Sequence, residues 1–119
     1  MATGRSIPQQ LGDTAEEQAA LFLQQQGLNI LARNYRCRGG EIDLIAQDGE
    51  TRVFVEVRAR RNTRYGGAAA SITPQKQQRL IYAARHYLMH LPIEPLCRFD
   101  AILIDGDHME WLRSAFDGF

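Results

Sequence analysis

Hydrophobic positions recur along the chain with two periods, and each change of period marks an element. Over residues 11–26, Leu11, Ala15, Ala19, Phe22 and Leu23 fall on one side at helical spacing. Asp13, with Glu16 three residues on, has the form of an N-terminal capping box, and Gly27 sits where such a helix stops. From there the period shortens. Residues 28–36 (LNILARNYR), 40–47 and 51–58 read as three strands. They are joined by the basic turn Cys37-Arg38-Gly39-Gly40 and by Asp48-Gly49-Glu50. Residues 61–72, with paired glycines and small side chains, read as a loop. Thr73-Pro74 then couples an N-cap to a first-turn proline. The helix it opens runs to about His90, with Leu80, Ile81, Ala84, Tyr87, Leu88 and Leu91 on its apolar side. After two prolines, CRFDAILID is a nearly continuous apolar strand, and a short edge strand over 108–112 closes the series. Residues 1–10 read as a flexible tail, leaving 11–119 as a single domain. The order helix, three strands, helix, strand predicts an α/β fold, a mixed sheet flanked by helices.

Composition narrows the class. At 119 residues, 45% hydrophobic and 24% charged, the chain is ordinary for one globular domain. No apolar run approaches the roughly 20 residues that span a bilayer, so no membrane partner is expected. The first ten residues lack the apolar stretch of a secretory signal. Cys37 and Cys97 form neither a disulfide framework nor a metal-ligand spacing, which points to a reducing, cytoplasmic compartment. Net charge is zero, so no global basic field advertises nucleic acid. The distribution is less even: residues 52–64 carry Arg52, Arg58, Arg60, Arg61 and Arg64 against Glu56 alone. Lys76 is the only lysine, and arginine suits phosphate because its fork donates two parallel hydrogen bonds.

The hairpin of residues 40–58 carries the candidate chemistry. With Gly49-Glu50 as a two-residue loop, Asp43 lies opposite Glu56 and Glu41 opposite Arg58. With Asp48-Gly49 as the loop, Asp43 faces Phe54 and Glu56 is its diagonal neighbour. Both registers put Asp43 and Glu56 on one face, and Ile42, Leu44, Val53, Val55 and Val57 on the other. Opposed carboxylates with Cβ atoms about 5 Å apart repel, so a proton, Arg58 or a cation must offset them. Magnesium takes one or two carboxylates plus waters and phosphate oxygens, which such a pair supplies. A solvated charged face is the plainer reading, although Ile45 and Phe54 share that face.

The runs GEIDLIA, VFVEVRAR, YGGAAASIT and RFDAILI, in that order, resemble the YraN family of uncharacterised bacterial proteins. That family in turn resembles the restriction-endonuclease-like superfamily, most closely the archaeal Holliday-junction resolvases. The resemblance implies an αβββαβ core and a divalent-metal-dependent endonuclease-like protein acting on branched or single-stranded DNA. It implies magnesium or manganese held by Asp43, Glu56 and the Val57 carbonyl, with Arg58 and a first-helix acid, Glu16, completing the catalytic set. Arg58 stands where the superfamily pattern has lysine; arginine cannot give up its proton, so its part is electrostatic. Lys76 is a candidate substitute. Beside such a site Arg60, Arg61, Arg64 and Lys76 would bind phosphates, with DNA expected ahead of RNA and a homodimer as one possible assembly. The alternative is a nucleic-acid-binding or partner-binding module that keeps the fold without turnover. Several residues have plainer roles. Glu16 has its place in the capping box, and Glu41 can pair with Arg58. Tyr65 either stacks on a base or caps a core. His86 and His90 lack the glutamate of the zincin motif.

Overall fold

The computed structural model describes residues 7–60 and 71–118, and side chains within 14–60 and 71–118. In chain order the elements are α1 (Ile7–Gln25), β1 (Asn29–Cys37), β2 (Gly40–Asp48), β3 (Thr51–Arg60), α2 (Pro74–Leu88), β4 (Leu96–Asp105) and β5 (His108–Phe116). The strands form one sheet in the order β1-β2-β3-β4-β5. Only β3 and β4 are parallel. α2 is the crossover between them, as a parallel pair requires. This is a mixed α/β architecture with the order of a restriction-endonuclease-like core, extended by β5.

Each helix covers one face. Ala15, Ala19, Ala20 and Leu23 of α1 pack on Leu44, Ala46, Val53, Val55, Val57, Ile102 and Ile104. Leu80, Ala83, Ala84 and Leu88 of α2 pack on Ile42, Ile45, Phe54 and Phe99. α1 ends in a Schellman turn: Leu28 N–H donates to Leu23 O, Gly27 N–H to Gln24 O, and Gly27 takes φ 95. At the start of α2, Thr73 Oγ1 accepts the Lys76 N–H at 3.2 Å and Pro74 fills the first turn.

Three expectations shift. α1 begins at Ile7, not residue 11, so Asp13 lies inside the helix and the capping box with Glu16 does not exist. Of the expected tail, residues 1–6 fall outside the described residues, as do residues 61–70 of the expected loop. Ile42 joins the α2 side with Ile45, while Leu44 stays on the α1 side. The pleat breaks between them, where Asn34 on the neighbouring strand takes φ 52. Finally, β5 runs to Phe116, four residues beyond the expected edge strand. Among the described residues, no helix is long and apolar enough to cross a membrane.

Candidate functional site

β2 and β3 pair from Asp48–Thr51 to Leu44–Val55, the register with Gly49-Glu50 as the loop. Continued one step, that register sets Asp43 opposite Glu56. There a side chain replaces the ladder: Asp43 Oδ2 accepts the Val57 N–H at 2.8 Å. The Glu56 carboxyl stands beside that of Asp43, within reach of a hydrogen bond. Such a bond needs a proton between them. Burial, the Asp43 charge and this hydrogen bond raise the Glu56 carboxyl from 4.5 to about 8, against the pull of Arg58 and Lys76. The repulsion expected from the sequence is thus met by protonation.

Around this pair the structure gathers part of the expected set. Arg58 lies beside Glu56, Nη1 to Oε1 3.6 Å, and its Nε donates to the buried Ser71 Oγ at 2.9 Å. Lys76, on the first turn of α2, feels Arg58, Glu56, Arg60 and Asp43, and burial with the neighbouring cations lowers its ammonium below the usual value. Glu16 approaches from α1. Its carboxyl is raised from 4.5 to about 7, first by burial and then by Asp43, while a hydrogen bond from the Asn34 side chain opposes the shift. Asp43 therefore interacts electrostatically with groups on both helices. Arg60 is exposed at the end of β3 and borders a cavity of about 440 Å³ with Thr14, Gln18 and Asp107. Arg61, Arg64 and Tyr65 lie outside the described residues.

Glu41 is a correction: it pairs with Arg36 on the exposed β1–β2 edge (3.4 Å), not with Arg58, which Glu56 and Ser71 engage instead. His86 accepts or donates at Tyr35 Oη (2.6 Å), and His90 Nδ1 meets the His86 carbonyl (2.9 Å). His86 packs half-buried against Tyr35, while His90 is exposed. Among the described residues, no three His, Cys, Asp or Glu side chains converge as a metal-ligating group. The Asp43–Glu56 pair nonetheless suits a hard cation. It offers oxygen donors alone, and a cation between the two carboxylates would neutralise the Asp43 charge that helps raise Glu56.

The model of the uncharacterised protein family UPF0102 matches residues 15–104, a span that holds α1 from Ala15, both hairpin carboxylates and most of β4. The chain belongs to the UPF0102 family. It is 63% identical over 107 residues to a UPF0102 protein of Nitrosomonas eutropha, covering 89% of this chain and 92% of that one. A UPF0102 protein of Herminiimonas arsenicoxydans is 52% identical over 113 residues, covering 95% and 91%. The YraN resemblance read from the four motifs is borne out, since YraN and UPF0102 are the same family.

In this UPF0102 chain two site neighbours escaped the sequence reading. Asn34 has a left-handed backbone, unusual within a strand, and its side chain reaches Glu16. The only sequence signal was an asparagine interrupting the β1 pattern. Ser71 anchors Arg58, and nothing in the run AAAS announces that role.

Proposed function

We propose that this UPF0102 protein is a divalent-metal-dependent phosphodiesterase of the endonuclease type, acting on branched or single-stranded DNA in the cytoplasm. The observation that carries the reading is the half-buried Asp43–Glu56 carboxyl contact where β2 and β3 separate. Asp43, Glu56 and the Val57 carbonyl would hold magnesium or manganese. When bound, that ion would polarise a scissile phosphate and lower the pKa of the attacking water. Arg58, fixed by Ser71 beside Glu56, would stabilise with its permanent charge the negative charge that builds on phosphorus. Glu16, with its raised carboxyl, would orient the water and take its proton. Lys76, Arg60, Arg61 and Arg64 hold flanking phosphates. A homodimer would present two such sites to a branched substrate.

A second reading has its own observation. Arg58 replaces the lysine of the superfamily pattern and is tied to Ser71 and Glu56, which suits a module that binds without turnover. Cleavage assays decide between them. Wild-type protein with magnesium or manganese should nick single-stranded, duplex or branched DNA. Asp43→Asn and Glu56→Gln should lose that activity, because a neutral amide is a poor ligand for a hard cation. No cleavage by wild type on any of the three substrates would reject the enzyme and leave the binding module.

A further inference from the structure

Away from the carboxyl pair, the fold joins two segments that carry positive charge and no acid. The chain is neutral overall, with 14 Lys and Arg against 14 Asp and Glu. Residues 28–40 hold Arg33, Arg36 and Arg38, and α2 holds Lys76, Arg79 and Arg85; neither segment contains Asp or Glu. The β1–β2 turn seats against α2. A Cβ on Gly40 would lie 2.2 Å from the Arg79 carbonyl oxygen, so only glycine permits this approach. Gly39, at φ 98, lies beside the Tyr82 ring, where a Cβ would come within 3.3 Å.

A groove of about 430 Å³ results, lined by Gly39, Gln78, Arg79, Ile81, Tyr82 and Arg85. Arg85 donates to the Gly118 carbonyl at 3.1 Å. Among the described residues, no carboxylate pairs with Arg38, Arg79 or Arg85. Tyr82 is 55% exposed, with one edge of its ring against the turn. An aromatic ring positioned among guanidinium groups matches an unpaired base and its phosphates: the ring stacks, and the arginines take the charge. A duplex, with its bases already stacked inside, offers the ring nothing.

The geometry points to this groove as a binding surface for single-stranded DNA, with Tyr82 as the stacking residue and Arg79 and Arg85 as phosphate contacts. The choice of DNA rests on the proposed function; the stacking and charge argument does not. Lys76 begins the same helix within electrostatic reach of Glu56 and Asp43, so a strand lying in the groove continues toward the carboxyl pair.

Fluorescence anisotropy in chelator, where no metal-dependent chemistry intervenes, tests the surface with labelled oligo-dT, an abasic strand of equal length and a blunt duplex. Oligo-dT should bind more tightly than either. Tyr82→Ala should weaken oligo-dT binding by about five- to a hundredfold and leave the abasic strand unaffected. Tyr82→Phe should retain the wild-type preference. Arg79→Gln should flatten the dependence of log affinity on log salt by about 0.7. Equal affinity for oligo-dT and the abasic strand, or an unchanged Tyr82→Ala, would overturn the stacking surface; thermal melts confirm that the variants remain folded. Tighter binding of oligo-rU than of oligo-dT would overturn the choice of DNA. Failure of metal-dependent cleavage leaves these affinities untouched, so the two readings fail separately.

Discussion

Glu56 holds its proton beside Asp43 in a half-buried place, where the pull of Arg58 and Lys76 is not enough to remove it. Burial first, then Asp43, raises the Glu56 carboxyl to about 8 from 4.5. The unfolded chain releases that proton near 4.5, so between these values the folded protein binds more protons than the unfolded one. The stability this contributes is complete below about 4.5 and is lost as pH rises through about 8. Glu16, raised to about 7, shifts stability in the same direction. Wild-type Tm should therefore fall between about pH 4.5 and pH 8, and Glu56→Gln, which stays neutral, should show a flatter profile. A cation must displace the same proton. Manganese should accordingly bind about tenfold more tightly for each pH unit gained up to about 8. Calorimetric titration across that range measures the slope, and an affinity independent of pH would place the ion away from Glu56.

At the scale of elements, the hairpin was the most legible part of the chain. Alternating valines and a turn glycine allowed two registers, and both kept Asp43 with Glu56. Thr73-Pro74 likewise marked the start of α2, because capping and a preset φ are local chemistry. The break at Asn34 was not legible: an alternation argument assumes an unbroken pleat, and one left-handed residue exchanges the faces without altering hydropathy. The start of α1 was missed for a related reason, since IPQQ carries no apolar repeat. β5 was cut short because Arg113-Ser114 interrupts its apolar pattern. A side chain of β4 carries the strand past that point. Asp100, wholly buried, accepts the Ser114 N–H at 3.0 Å and the Trp111 Nε1–H at 3.0 Å. Arg98 supplies its counter-charge at 3.0 Å and reaches Asp48 at 2.8 Å. Asp100→Ala would leave Arg98 without its buried partner and should cost about 3–5 kcal/mol in denaturant unfolding. A loss below about 1 kcal/mol would mean that the network does not hold the edge.

Over the whole molecule, the net charge of zero means that any polyanion is drawn by local fields, not by a global one. The parallel β3–β4 register gives a ruler for how local. Thr51 pairs with Leu96 and Arg60 with Asp105, so the ends of β3 stand about 30 Å apart at 3.3 Å per residue. Glu50 and Glu94, both exposed, flank the far end, while Arg60 and the carboxyl pair lie toward the other. At physiological salt the Debye length is about 8 Å, several times shorter than that separation. If binding depends on phosphate contacts near the site, the double substitution Glu50→Gln, Glu94→Gln adds two units of net charge yet should change DNA affinity by less than about twofold. Its salt slope should match that of the wild type. Arg60→Gln changes net charge by half as much, but should weaken duplex binding and flatten the slope by about 0.9 as one counterion-releasing contact disappears. Measuring all three proteins over a salt series separates the cases. Affinity that instead followed net charge, with the double variant gaining what Arg60→Gln loses, would reduce the arginines to ordinary surface and remove the localised phosphate contacts from the proposed site.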